Sequence, residues 1–90
     1  MIVFTKSAER DLAKFDPPLK NKIGDALRAI ESSPTQGSGI KRLTGGGTLY
    51  RLRSGDYRAV YEVIRGDVVV HLVAHRRDVY KRACRPGGLL

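Results

Sequence analysis

Three arginines, a histidine and a tyrosine are the residues of this 90-residue chain whose types and spacing could do chemistry. In "YRLRSGDYRAVYEV", residues 50–63, Arg51, Arg53 and Arg58 alternate with apolar residues on both sides of a Gly-Asp pair. His75 and Tyr80 follow in "VVVHLVAHRRDVY". Arginine cannot accept a proton at neutral pH, but its planar fork matches phosphate and stabilises charge developing on it. Cleaving RNA needs more: a group that takes the proton from the ribose 2′-OH, one that protonates the leaving 5′-oxygen, and cations over the phosphorane between them. Tyr80 would accept a proton only if its phenol, near pKa 10 in isolation (an approximate value), were pulled down by adjacent cations. Arg76, Arg77, Lys81 and Arg82 are its sequence neighbours. Two readings of Tyr80 stand side by side, a base or a residue closing the core edge beside Val79. His75 is either an acid or base or a hydrogen-bond donor to phosphate.

The elements that must position these residues can be read from pattern. "IVF" at 2–4 reads as a strand. Ala8, Leu12 and Phe15 form the stripe of a short helix that Thr5 or Ser7 caps. In "DPP" at 16–18, proline interrupts that helix while Asp16 caps a second one with Pro17 in its first position. Leu19, Ile23, Ala26, Leu27 and Ile30 are its apolar stripe, and "SSP" at 32–34 ends it. Residues 33–47 read as a surface loop anchored by Ile40 and Leu43. A meander follows, with strands near 48–54, 57–65 and 68–75 joined by turns at Gly55-Asp56 and Gly66-Asp67. The fold class is α+β: an N-terminal strand, two antiparallel helices and a three-stranded antiparallel meander, with the helices on one face of a twisted sheet. Residues 1–85 make one domain, 86–90 a flexible tail, and 79 onward can begin as a helical turn.

Two-residue turns fix register. The first hairpin then pairs Arg53 with Arg58, Arg51 with Val60 and Tyr50 with Tyr61. Tyr50, Leu52, Tyr57, Ala59, Tyr61 and Val63 share the helix side, and the three arginines share the other. The second turn pairs Glu62 with His71 and Arg58 with His75. That register adds Val70, Leu72 and Ala74 to the helix side and His75 to the arginine row. Opposed like charges cost a few tenths to about 1 kcal/mol, so the row is better explained as an anion site than as a solvated face.

Charge agrees. The chain has 17 Lys and Arg against 9 Asp and Glu, a net of +8. Residues 40–90 hold eleven of the basic residues and four of the acidic ones, so the excess sits in the half that carries the arginines. Polyanions are the leading partner class. A hydrophobic share of 41% with 29% charged residues is ordinary for a globular chain. One cysteine excludes an intrachain disulfide. Asp56, Asp67 and Asp78 fall in turns or past the strand end, and two histidines with one cysteine make no ligand set, so neither metal nor cofactor is expected. No apolar run approaches the roughly 20 residues of a membrane span, and the N-terminus turns polar too soon for a signal peptide. A cytoplasmic location is the expectation.

Strand, two helices, a glycine-containing loop, then "LRSGDYRAVYE" paired with a later "HRRDVY": this order resembles the RelE/ParE superfamily of bacterial and archaeal toxin–antitoxin toxins over residues 1 to about 82. The two segments look more like the RelE branch, ribosome-dependent mRNA interferases, than the ParE branch, which poisons DNA gyrase. The resemblance implies a metal-free endoribonuclease that works by 2′-OH attack on mRNA in the ribosome. Arg51 and Arg58 would hold the phosphate, Arg76 or Arg77 would act as acid or charge stabiliser, and Tyr80 as general base. Arg53, His75, Lys41, Arg42, Lys81 and Arg82 would contact the substrate. It also implies a cognate antitoxin that masks the site in a hetero-oligomer. The chain departs from the pattern at Leu49, where RelE-type members often carry lysine, at Ala74, where many carry glycine, and in replacing site lysines by arginines.

Overall fold

Thr5 and Asp16 start the two helices. In the computed structural model, which describes residues 1–43 and 48–84, strand β1 (Ile2–Phe4) runs into Thr5, whose hydroxyl accepts the Ala8 N–H at 3.2 Å and caps α1 (Lys6–Ala13). Asp16 Oδ1 accepts the Leu19 N–H at 3.4 Å, with Pro17 in the first turn of α2 (Pro17–Ile30). These caps satisfy N–H groups that a helix start leaves without a partner. The expected stripes are the packed faces: Ala8, Leu12 and Phe15 from α1, and Leu19, Ile23, Ala26, Leu27 and Ile30 from α2, all meet one face of the sheet.

The sheet has five strands in the order β1-β5-β4-β3-β2, with β2 (Ile40–Arg42), β3 (Leu49–Ser54), β4 (Tyr57–Ile64) and β5 (Asp67–His75) antiparallel in succession. β1 closes the other side by pairing parallel to β5, Val3 opposite Val69. Within the segment read as a loop, residues 40–42 add to β3 as a short edge strand. Ile40 reaches the helix-side core and Leu43 is buried on the opposite side, so both anchors hold. The tail at 86–90 lies outside the described residues.

The first hairpin has the expected register at every pair, from Ser54 opposite Tyr57 to Tyr50 opposite Tyr61. Gly55 carries φ +60° at the first turn position, the pattern of a type II′ turn. The second hairpin corrects the sequence reading twice. Its tip is Arg65-Gly66, at φ 51° and 85°, so Ile64 pairs with Asp67 and Tyr61 with Val70. Two positive φ values make the type I′ turn that matches strand twist. A bulge between Val60 and Tyr61 then shifts the register by one residue, and Val60 pairs with Leu72 and Arg58 with Ala74. An extra residue on one strand reverses every face beyond it.

Leu72 and Ala74 therefore leave the helix side. They join Leu43, Leu49 and Val60 in a second core, roofed by Val79 and Ala83 of a third helix, α3 (Val79–Cys84). Val70 keeps its expected place on the helix side, where Val68 and Val73 join it. The face expected to be open is thus half covered, and the arginine row borders that cover.

Candidate active site

Arg51 and Arg53 of β3 and Arg58 of β4 lie on the α3 side of the sheet, with Arg53 directly opposite Arg58. Lys41 is opposite Arg51 and extends the same row toward the sheet edge, because directly paired residues share a face. Arg42, opposite Tyr50, falls on the helix side. The row residue beside Arg58 on β5 is Ala74.

His75 is the correction that follows. It pairs with Tyr57 and packs edge-on against that ring at a centroid distance of 5.4 Å, on the face away from the arginines. Its Nδ1 accepts the Arg77 backbone N–H at 3.2 Å. The expected Glu62–His71 pair forms, with His71 Nε2 3.1 Å from Glu62 Oε1, although the Arg65-Gly66 tip gives Glu62 a different register partner, Val69.

Arg58 is the centre of the cluster. Its Nη1 donates to the carbonyls of Gly55 at 2.9 Å and Tyr57 at 3.0 Å, which ties the guanidinium to the hairpin tip. Partial burial and the charges of Arg51, Arg53 and Arg76 lower its pKa, and Tyr80 offsets part of that fall. Arg76 and Tyr80 follow β5 at the end of the sheet where Arg58 sits, Arg76 coming directly after His75, the partner of Tyr57, and Tyr80 in α3. Arg76 is held there by two contacts with Asp56: its N–H donates to the Asp56 carbonyl at 2.7 Å, and its Nε lies 3.8 Å from Oδ1.

Arg51 Nε is shielded from solvent and has no hydrogen-bond partner. A buried donor left without an acceptor costs about 1–3 kcal/mol. An anion seated over the row would meet the outward guanidinium groups of Arg53 and Arg58. The like charges that depress Arg58 would then be neutralised together.

The flanks of α3 explain where its residues go. With 3.6 residues per turn, Val79 and Ala83 face the second core, leaving Tyr80 and Arg82 on opposite flanks and Lys81 pointing outward. Tyr80 is 42% exposed, so it borders the core and does not close it. Arg82 turns away from the arginine row to pair with Asp11 of α1, Nη1 to Oδ1 at 2.9 Å. Sequence reading missed Asp11, although an acid beside Leu12 on the inner stripe was a usable signal. Among the described residues no cluster of three or more His, Cys, Asp or Glu side chains is arranged to hold a metal. No described helix is long and apolar enough to cross a membrane.

Known proteins share this fold. Residues 2–80 match the family described as the ParE toxin of type II toxin-antitoxin system, parDE. A RelE1 protein of Methanocaldococcus jannaschii is 28% identical over 80 residues, covering 84% of this chain and 89% of the relative. The crystal structure of the isolated E. coli RelE toxin superposes with a TM-score of 0.71 at 28% identity, over 92% of this chain and 93% of that one. The toxin–antitoxin complex RelBE2 from Mycobacterium tuberculosis gives 0.72 at 28% identity, over 84% and 96%. The fold is thus shared along nearly the whole domain, and the chain belongs to the RelE/ParE superfamily of type II toxin–antitoxin toxins, as a RelE-like member.

Proposed function

We propose that this toxin is a ribosome-dependent endoribonuclease that cuts mRNA by attack of the ribose 2′-OH on the adjacent phosphate. The observation that carries the reading is the row of Arg51, Arg53 and Arg58 on the α3 side of the sheet, with Arg76 and Tyr80 following β5 at the end where Arg58 sits. In this scheme Tyr80 takes the 2′-OH proton and the oxygen attacks phosphorus. The bond to the 5′-oxygen breaks, leaving a 2′,3′-cyclic phosphate. Arg51 and Arg58 hold the phosphate and stabilise the added charge in the transition state. Arg76, tied to Asp56 beside the hairpin tip, or Arg77 next to it, faces the leaving oxygen as charge stabiliser or acid. Arg53, Lys41 and Lys81 grip the RNA backbone. Arg42, Arg82 and His75 project elsewhere and fall out of this set.

A cognate antitoxin is the protein partner in this reading, as RelB is of RelE in the M. tuberculosis complex. It restrains the toxin in a cytoplasmic hetero-oligomer. The chain acts as a single domain.

A second reading, a gyrase poison, is favoured by the ParE description of the matching family. One experiment separates the two: mapping of mRNA 5′ ends after brief induction of wild type, Arg58→Ala and Tyr80→Phe. In-frame cuts at recurring codon positions, lost in both variants, are expected. Intact mRNA accompanied by DNA-damage induction and gyrase cleavage complexes would overturn the nuclease reading in favour of the second.

A further inference from the structure

Asp11 is the buried charged residue among the described side chains, 4% exposed in a helix whose other inward residues are apolar. Its two oxygens are divided. Oδ2 accepts the Val73 N–H of β5 at 3.0 Å, and Oδ1 pairs with Arg82 Nη1 at 2.9 Å. One carboxylate thus joins α1, the sheet and α3.

That junction matters because α3 is weakly anchored otherwise. Six residues are too few to hold a helix by its own hydrogen bonds. Its sheet-facing contacts come from Val79 and Ala83, which fix its height over the second core but leave rotation about its axis to small side chains. Arg82 borders an open cleft of about 250 Å³ that Lys14, Phe15, Tyr57 and His75 also line, so packing on that side does little to hold the guanidinium in place. Tyr80 and Arg82 occupy opposite flanks, so turning α3 moves Tyr80 relative to Arg58 by as much as it moves Arg82 relative to Asp11.

We infer that Asp11, acting through Arg82, is a positioning residue that sets the rotation of α3 and thereby presents Tyr80 to the arginine row. The inference rests on the proposed nuclease reading for its catalytic consequence, but its structural half is independent. Breaking a buried ion pair leaves an uncompensated charge, so loss of either partner releases the helix.

Asp11→Asn keeps an oxygen for the Val73 N–H and removes the charge. Arg82→Gln tests the same pair from the less buried side, in case the Asp11 variant fails to fold. Amide hydrogen exchange should accelerate over residues 79–84 in both variants and stay unchanged at Ala59–Tyr61. With mRNA on purified ribosomes, kcat should fall on the order of 100-fold, the cost of an ångström-scale misplacement, with KM little changed. Arg82→Lys should recover part of it. In a Tyr80→Phe background Asp11→Asn should cost nothing further, because the group it positions is gone. Unchanged exchange over 79–84, or a full additional loss in the Tyr80→Phe background, overturns the inference. If Tyr80→Phe cuts like wild type, the nuclease assignment of Tyr80 fails, and exchange over 79–84 alone decides whether Asp11 holds the helix.

Discussion

Arg53 and Arg58 stand directly opposite one another across the β3–β4 hairpin, two cations on one face of a two-residue turn. The pair costs stability in the free protein, and the same cost is recovered when an anion is bound. Arg53→Thr removes the repulsion and adds a β-branched residue at a strand position. The variant should gain a few tenths to about 1 kcal/mol in urea unfolding while binding single-stranded RNA more weakly. A variant that loses stability and keeps its RNA affinity would show that the row is not an anion site.

Salt reports how many cations touch phosphate. For single-stranded nucleic acid, each contact contributes about 0.7 to the slope of log K against log salt. Arg51→Ala should lower that slope by about one contact, and Lys41→Ala, next to it across β2–β3, should lower it similarly. Arg42→Gln should leave it unchanged, since Arg42 falls on the helix side of the sheet, away from the row. Filter binding or anisotropy across a salt series reads all three.

The first hairpin was legible in the sequence because a two-residue turn with Gly in its first position admits one register, and the Tyr50, Leu52, Ala59 and Tyr61 pattern confirms it. The second was not. Both Arg65-Gly66 and Gly66-Asp67 can close a tight turn, and choosing between them depends on whether Arg65 accepts a left-handed conformation, which tertiary pairing of β5 with β1 helps to impose. The bulge left no mark either: Leu72, Val73 and Ala74 are all apolar, so alternation could not show where the face switched, and His75 was carried to the wrong side. α3 was only half legible, since its stability comes from Val79, Ala83 and the remote carboxylate of Asp11 rather than from its own length.

Arg65 is the one non-glycine among the described residues with positive φ, at 51°. A left-handed conformation costs an L-residue about 1–2 kcal/mol, and asparagine tolerates it better than arginine does. Arg65→Asn places Asn-Gly, the preferred type I′ pair, at the β4–β5 tip. A stability gain of about 0.5–1 kcal/mol is expected, with RNA cleavage unchanged, because the tip lies at the opposite end of β4 from Arg58. Thermal unfolding beside a cleavage assay checks both halves.

Tyr61 ties the central strand to the segment after α2. Its ring is fully buried and stacks on Tyr50 at 5.9 Å, and its hydroxyl donates to the Pro34 carbonyl at 2.5 Å. Burial pushes its phenol up to about 12. The unfolded chain ionises first, near pH 10 by the ordinary phenol value, an approximate figure. Stability from this group is therefore fully present below about pH 10 and is lost as pH rises from there toward 12. Tyr61→Phe removes that alkaline decline along with the hydrogen bond. At pH 7 it should cost about 1 kcal/mol, chiefly through the Pro34 carbonyl left without its donor. Between pH 10 and 12 the gap between variant and wild type should narrow, read by urea unfolding at stepped pH; a constant gap would mean that Tyr61 ionises in the folded protein as readily as in the unfolded chain.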